Sequence, residues 1–129
     1  MTGIVIVSHS RQLAEGAAEL AGQMAGSAVI VAAGGLEDGS IGTDAFRIKE
    51  AIEKANDGDG VVILCDMGSA IMSAETALDF LEDSGVKAKI ADAPVVEGAV
   101  SAAVTASTGA PMDEVIEAAE EARGQSKMS

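Results

Sequence analysis

The only histidine of the chain follows a short apolar run and stands between two hydroxyl side chains. Residues 4–7 are wholly apolar, and Ser8, His9 and Ser10 come directly after them. An imidazole serves as a nucleophile or a base near neutral pH, and a partner on one ring nitrogen directs the chemistry to the other. We therefore predict that the chemistry begins at His9. The alternative is a histidine that caps a turn or is satisfied inside the core.

A second candidate residue, Asp66, follows another apolar run, residues 61–65. A carboxylate beside an imidazole accepts a hydrogen bond from one ring nitrogen and fixes the tautomer. Gly68 and Ser69 then precede a segment with helical spacing, and a helix start offers N–H groups and a positive dipole end to an anion such as a phosphoryl group. The alternative is that Asp66 is simply the N-cap of that helix. A serine hydrolase is a further reading, but no serine here lies in a G-x-S-x-G motif.

Apolar runs and helical patterns alternate along the chain and must position these residues. We predict strands near residues 4–7, 28–32, 61–65 and 86–90, the last as a half-exposed edge strand. Right-handed crossovers then give an α/β fold, a doubly wound open sheet of four parallel strands in the order 2-1-3-4, flanked by helices. This order puts His9 and Asp66 at neighbouring strand ends, where ligands of such sheets collect.

The intervening helices have predicted starts and faces. Ser10 is the expected cap of the first helix and Thr43 that of the second. The apolar positions of the first helix fall at helical spacing at Leu13, Ala17, Leu20, Ala21 and Met24. Residues 99–106 carry small side chains, so they either pack tightly on the sheet or lie at a subunit interface, and we predict a homodimer.

A loop with four glycines, residues 34–43, follows the second strand. The Walker phosphate loop needs a Lys after its last Gly, and Thr43 stands there instead, so nucleotide binding by this loop alone is disfavoured.

Composition excludes several function classes. The chain has 129 residues, 8 basic and 21 acidic, and its net charge of −13 disfavours nucleic acid and anionic membranes. One Cys and one His are too few for a structural zinc site, and no metal is expected. The longest apolar run is too short to span a bilayer, and no leader pattern is evident, so a cytoplasmic protein is expected. We predict one domain over residues 1–123 and a flexible tail over residues 124–129.

Several motifs together resemble one family. They are G-I-V-I-V-S-H-S and L-A-E-G near the N-terminus, then G-G-L-E-D-G-S-I-G-T, D-M-G-S-A and D-A-P-V-V-E-G-A. In this order they resemble the DhaM family, the phosphotransferase subunits of PTS-dependent dihydroxyacetone kinases. That family is similar to the enzyme IIA domain of mannose-type PTS transporters, and the resemblance covers residues 3–122.

The resemblance implies a function and roles for single residues. His9 would accept a phosphoryl group from HPr as a tele-phosphohistidine and pass it to ADP on the DhaL subunit, with DhaK in the complex, and Asp66 would orient His9. The phosphate position or its rim would comprise Ser8, Ser10, Gly35, Thr43, Gly68 and Ser69. No cofactor would be bound tightly, and a homodimer is common in this family. Larger members fuse further PTS domains that are not seen in this sequence, so a separate donor protein is expected.

Two other functions stay open at this point. A mannose-type enzyme IIA that feeds a sugar permease shares the fold and the histidine. A noncatalytic α/β binding module would leave His9 unmodified.

Overall fold

Strands and helices alternate from the N-terminus in the computed structural model, which describes residues 1–128. The elements in chain order are β1 (Gly3–Ser8), α1 (Arg11–Met24), β2 (Ile30–Gly34), α2 (Ala45–Ala55), β3 (Val61–Cys65), α3 (Gly68–Phe80), β4 (Ala88–Ile90), α4 (Val95–Ser107), α5 (Met112–Glu121) and a 3-10 turn (Ala122–Gly124). The predicted tail, residues 124–129, begins in that turn, and its last residue lies outside the described part.

The four strands form one parallel sheet in the order β2-β1-β3-β4, which confirms the predicted topology. Every residue of the two central strands, β1 and β3, is buried. These strands show no polar alternation because helices cover both faces of the sheet. The edge strand β4 is confirmed in place, but it is shorter than predicted and pairs with β3 over only three residues.

Two apolar cores lie on opposite faces of the sheet. Successive side chains of a strand point to opposite faces. Ile4 and Ile6 of β1 therefore pack with α1, α4 and α5, whereas Val5 and Val7 pack with α2 and α3. β1 is thus held from both sides, and the residues that follow it start from a fixed position.

The predicted buried face of helix α1 is confirmed at Ala17 and Ala21 but is wrong at its large residues. Its buried residues are the small ones, Ala14, Ala17 and Ala21. Three large members of the predicted apolar face are exposed, namely Leu13, Leu20 and Met24. The reason is the close approach of α1 to β2, since a Cβ atom added to Gly34 would lie 2.5 Å from the carbonyl oxygen of Ser10. Only small side chains fit that contact.

The second strand and the second helix begin later than predicted. β2 starts at Ile30, because the N–H of Ala28 still closes a turn onto the carbonyl oxygen of Ala25 at 3.0 Å. The prediction that Thr43 caps α2 is wrong. Asp44 is the N-cap, and its carboxylate accepts the N–H of Phe46 at 2.8 Å. The hydroxyl of Thr43 instead shares a 2.6 Å hydrogen bond with Ser73 of α3.

The small residues at 99–106 lie within α4 and are used inside the chain. Four of them are completely buried, Ala99, Ala102, Ala103 and Ala106. They pack against β1, β3, α1 and α5. Of the two predicted alternatives, tight packing within the chain is confirmed for these four alanines, whereas Val104 of the same segment is exposed.

Candidate functional site

The carboxyl ends of β1 and β3 place His9 and Asp66 side by side. Val7 of β1 is in register with Cys65 of β3, so His9, which follows β1, and Asp66, which follows β3, lie at the same end of the sheet. The N–H of Asp66 donates to the carbonyl oxygen of Val7 at 3.0 Å, which extends the ladder up to the site. The topology therefore brings the two predicted residues into contact.

The ring of His9 contacts the Asp66 carboxylate through Nδ1. The distances from Nδ1 to Oδ1 and Oδ2 are 3.0 and 3.2 Å. A carboxylate only accepts, so in the neutral ring Nδ1 carries the proton and Nε2 carries the lone pair. The hydroxyl of Ser69 lies 2.6 Å from Nε2 and can donate to it. The geometry therefore leaves Nε2 as the nucleophilic nitrogen.

Both side chains are largely enclosed but reach the surface. The exposed fraction is 18% for His9 and 10% for Asp66. Ser69, beside Nε2, lies in an exposed position at the start of α3. A protein partner can thus reach Nε2 after the hydroxyl of Ser69 rotates away.

The Asp66 carboxylate is saturated with hydrogen-bond donors. Oδ2 accepts the hydroxyl of Ser8 at 2.9 Å and the backbone N–H of His9 at 3.0 Å. Oδ1 accepts the N–H of Met67 at 2.7 Å in addition to the ring. Burial raises the pKa of this carboxyl, but the hydrogen bonds from His9 and Ser8 outweigh it, so the pKa lies below its ordinary value. Asp66 is therefore a carboxylate at neutral pH.

The alternative that Asp66 caps α3 is wrong. The N-cap residue of α3 is Met67, and no side chain there makes a capping hydrogen bond. Asp66 faces the imidazole of His9 instead. Gly68 and Ser69 form the first turn of α3, so the helix begins beside the imidazole, as predicted.

The structure corrects two of the predicted rim residues, Ser8 and Gly35, which are both buried. Ser8 is completely buried behind Asp66, so it cannot line a phosphate position. Gly35 is buried, and its N–H already donates to the carbonyl oxygen of Ser8 at 3.1 Å. Thr43 is engaged with Ser73, a partner that the sequence did not suggest because thirty residues separate the two.

Ser10 caps α1, as predicted. The hydroxyl of Ser10 accepts the N–H of Leu13 at 3.2 Å, and the backbone N–H of Ser10 donates to the hydroxyl oxygen of Ser8 at 3.0 Å. The loop of residues 34–43 closes over this turn, since the N–H of Gly42 donates to the carbonyl oxygen of His9 at 2.9 Å. The backbone on both sides of the imidazole is thus fixed by hydrogen bonds.

Cys65 sits next to Asp66 but takes no part in the site. Burial, and secondarily the charge of Asp66, raise the pKa of its thiol to about 12. Such a thiol stays protonated and unreactive at neutral pH.

Residues 1–128 offer neither a cluster of metal ligands nor a membrane-spanning helix. They contain no group of three or more His, Cys, Asp or Glu residues that could hold a metal ion. They also contain no helix that is both long and apolar enough to cross a membrane.

Residues 3–116 match the EIIA-man family, described as the PTS system fructose IIA component. The chain belongs to the EIIA-man family.

Curated relatives confirm the resemblance to DhaM proteins. The chain is 44% identical to the phosphoryl donor subunit DhaM of PEP-dependent dihydroxyacetone kinase from Providencia stuartii, with 95% of the chain covered. It is 48% identical to the Escherichia coli DhaM over 90% of the chain. It spans about a quarter of those two relatives, 27% and 26% of their lengths. The DhaM of kinase 2 from Listeria innocua is 46% identical, and the match covers 81% of this chain and 85% of that protein.

Solved structures share the fold. A protein of unknown function, EF1359, superposes with a TM-score of 0.86 at 32% identity, over the full length of both chains. The phosphotransferase system component EIIA from Streptococcus agalactiae superposes with a TM-score of 0.71 at 17% identity, covering 98% of this chain and 97% of that one. The second likeness concerns the fold alone.

Proposed function

We propose that this domain is a phosphohistidine carrier that accepts a phosphoryl group from HPr on Nε2 of His9 and passes it to ADP bound on a DhaL subunit. The observation that carries the proposal is the contact of Nδ1 with the Asp66 carboxylate, which leaves Nε2 as the free nucleophile. The DhaM relatives, which are named as phosphoryl donor subunits of a dihydroxyacetone kinase, support the choice of acceptor.

Acceptance is an in-line transfer between two imidazoles. The lone pair of His9 Nε2 attacks the phosphorus, the new N–P bond forms, and the N–P bond to the donor histidine breaks with its electron pair. The proton on Nδ1 stays in place, so the phosphorylated ring of His9 is a cation. The Asp66 carboxylate, 3.0 Å from Nδ1, compensates that charge as it develops. When the phosphoryl group leaves, the ring returns to the neutral tautomer.

Ser69 and the start of α3 have a role in holding the phosphoryl group. The hydroxyl of Ser69 must give up its contact with Nε2 when phosphorus approaches. It then becomes free to donate to a phosphoryl oxygen. The first turn of α3 begins at Gly68, and N–H groups at a helix start favour an anion at this place.

Transfer to ADP needs positive charge that an acidic carrier does not supply. Phosphoryl transfer to a nucleotide is assisted by Mg²⁺ and basic side chains, and this chain has a net charge of −13. In the proposal the partner holds ADP and Mg²⁺, with DhaK in the same complex as the subunit that binds dihydroxyacetone. The carrier itself needs no tightly bound cofactor, and the reaction takes place in the cytoplasm.

The test is discharge of the phosphorylated protein. We expect fast loss of phosphate from His9 and formation of ATP when phosphorylated protein is mixed with DhaL loaded with ADP and Mg²⁺. His9→Gln, treated in the same way, is the control and should yield no ATP. Retention of the phosphate in the presence of DhaL–ADP would contradict the proposed acceptor.

A second candidate is an enzyme IIA that feeds a sugar permease. The description of the matched family as a fructose IIA component favours it. Discharge to a mannose-type permease component, with none to DhaL–ADP, would support this candidate in place of the first. A noncatalytic binding module would take no phosphate from HPr at all.

We also propose that the domain is a homodimer, now on the resemblance to DhaM proteins alone. The alanines of the segment at 99–106 give it no support, because four of them are completely buried within the chain. Sedimentation at micromolar concentration is expected to show twice the 12.8 kDa of one chain. A species of 12.8 kDa alone would refute the dimer.

A further inference from the structure

Ser8 has an environment that the proposed carrier role does not by itself require. Thr2 and Ser8 are the buried polar side chains among residues 1–128, and both are completely inaccessible. A buried hydroxyl is costly unless it is hydrogen-bonded, so its partners indicate what it does. The two residues stand at opposite ends of the same strand region but have very different partners.

The hydroxyl of Ser8 bridges the two sides of the His9 turn. It donates to Oδ2 of Asp66 at 2.9 Å and accepts the N–H of Ser10 at 3.0 Å. Ser8 therefore connects the residue after His9 to the carboxylate that holds the ring of His9. The hydroxyl of Thr2, in contrast, has one long hydrogen bond, 3.4 Å to the carbonyl oxygen of Ala110.

The bond from Ser8 also fixes the rotation of the Asp66 carboxylate. Oδ2 lies between two donors, the hydroxyl of Ser8 and the N–H of His9, and this leaves Oδ1 as the nearer oxygen to Nδ1. Without the hydroxyl, Oδ2 keeps only one of its two donors, in a side chain that is 10% exposed. The N–H groups of His9 and Met67 still hold the carboxylate, but one restraint on its rotation is lost, and the hold on Nδ1–H weakens.

We propose that Ser8 is a positioning residue, which acts through Asp66 to keep the proton of His9 on Nδ1 and the lone pair on Nε2. It touches neither the donor nor the phosphoryl group. The proposal rests on the proposed function for its effect on phosphoryl transfer, but the tautomer of His9 is a property of the free protein.

The experiment uses the full chain labelled with ¹⁵N-histidine, because one histidine gives one pair of ring signals. Ser8→Ala removes the hydroxyl, and Ser8→Cys fills nearly the same space with a weaker donor. Thr2→Val is the matched control, since it removes the other buried hydroxyl. The ring ¹⁵N shifts report which nitrogen carries the proton, and rapid-quench mixing with phosphorylated HPr gives the rate of acceptance.

In the wild type and in Thr2→Val we expect one tautomer with the proton on Nδ1. In Ser8→Ala and Ser8→Cys we expect a mixture of the two tautomers and acceptance slower by roughly tenfold, the usual effect of losing one hydrogen bond to a charged group. If Ser8→Ala does not fold, the tautomer and the acceptance rate of Ser8→Cys test the proposal.

Two results would overturn the role of Ser8. One is a wild-type tautomer in both Ser8 variants, and the other is an equal loss of the tautomer in Thr2→Val, which would indicate general loosening of the fold. A wild-type protein that takes no phosphate from HPr would refute the proposed function instead, and the ring shifts would still decide the role of Ser8.

Discussion

Asp66→Asn removes the charge that faces the imidazole and keeps the shape of the side chain. A phosphorylated ring with a proton on Nδ1 carries a positive charge, and the carboxylate lies 3.0 Å away. Two unit charges at that distance attract by about 1.4 kcal/mol in water and by about 5.5 kcal/mol at an effective dielectric constant of about 20. The site is partly exposed, and the transition state develops only part of the charge. We therefore take the loss of transition-state stabilisation in Asp66→Asn as about 3 kcal/mol. Acceptance should slow by about 10²-fold.

The hydrogen bonds around Asp66 add a second effect. Each of the two carboxylate oxygens accepts hydrogen bonds from two donors. In Asp66→Asn the amide NH₂ replaces one of these oxygens, so it faces two donors in either orientation of the amide. Unpaired donors of this kind cost about 1–3 kcal/mol, so the free energy of unfolding should also fall. These four contacts were not visible in the sequence.

The assay is rapid-quench phosphorylation by HPr at a temperature where urea titration shows that both proteins are folded. Ser10→Ala is a useful comparison, because it removes a hydroxyl from the same turn without touching the Asp66 carboxylate. The expected loss of rate is ~10²-fold. If Asp66→Asn accepts the phosphoryl group at a rate within about threefold of the wild type, the charge argument is refuted.

Three further predictions concern stability. Gly34→Ala should lower the free energy of unfolding in urea by about 1–3 kcal/mol or more, because its Cβ would meet the carbonyl oxygen of Ser10; an unchanged midpoint would contradict this close contact. Thr43→Val should cost about 1 kcal/mol through loss of the hydrogen bond to Ser73, and thermal unfolding at the wild-type temperature would speak against that bond. The lowered pKa of Asp66 adds stability that is fully present above its ordinary value of 3.8 and is lost as the pH falls through the lower value in the folded protein. The stability difference between wild type and Asp66→Asn should therefore shrink in acid, and a constant difference from about pH 6 to about pH 2 would be inconsistent with the shift.

Sequence patterns predicted the parts of the fold that depend on continuous apolar runs. The bounds of β3, Val61–Cys65, match the prediction, and the strand order follows from right-handed crossovers between such runs. The meeting of His9 with Asp66 was predictable for the same reason, because adjacent parallel strands end at one edge. To predict these features, it is enough to know the order of the elements and the residues at which the strands end.

Contacts between distant elements were not predictable from those patterns. The helical spacing wrongly placed Leu13, Leu20 and Met24 on the buried face of α1, because the pattern does not report how closely the helix approaches Gly34. Ser8 looked like a rim residue for its place beside His9, and only the packing of β1 shows that its hydroxyl turns inward to Asp66. Thr43 and Asp44 are both good caps by type, and the contact of Thr43 with Ser73 decides between them.

The most direct test of the central claim is the mass of the protein after incubation with phosphoenolpyruvate, enzyme I and HPr. We expect one added phosphoryl group, lost in acid and stable in base, with NMR showing the phosphorus on Nε2 of His9. His9→Gln should keep the fold, since the ring is partly exposed and contributes little to the core, and it should gain no mass. Phosphate on His9→Gln, an acid-stable adduct on the wild type, or attachment to Nδ1 would contradict the account.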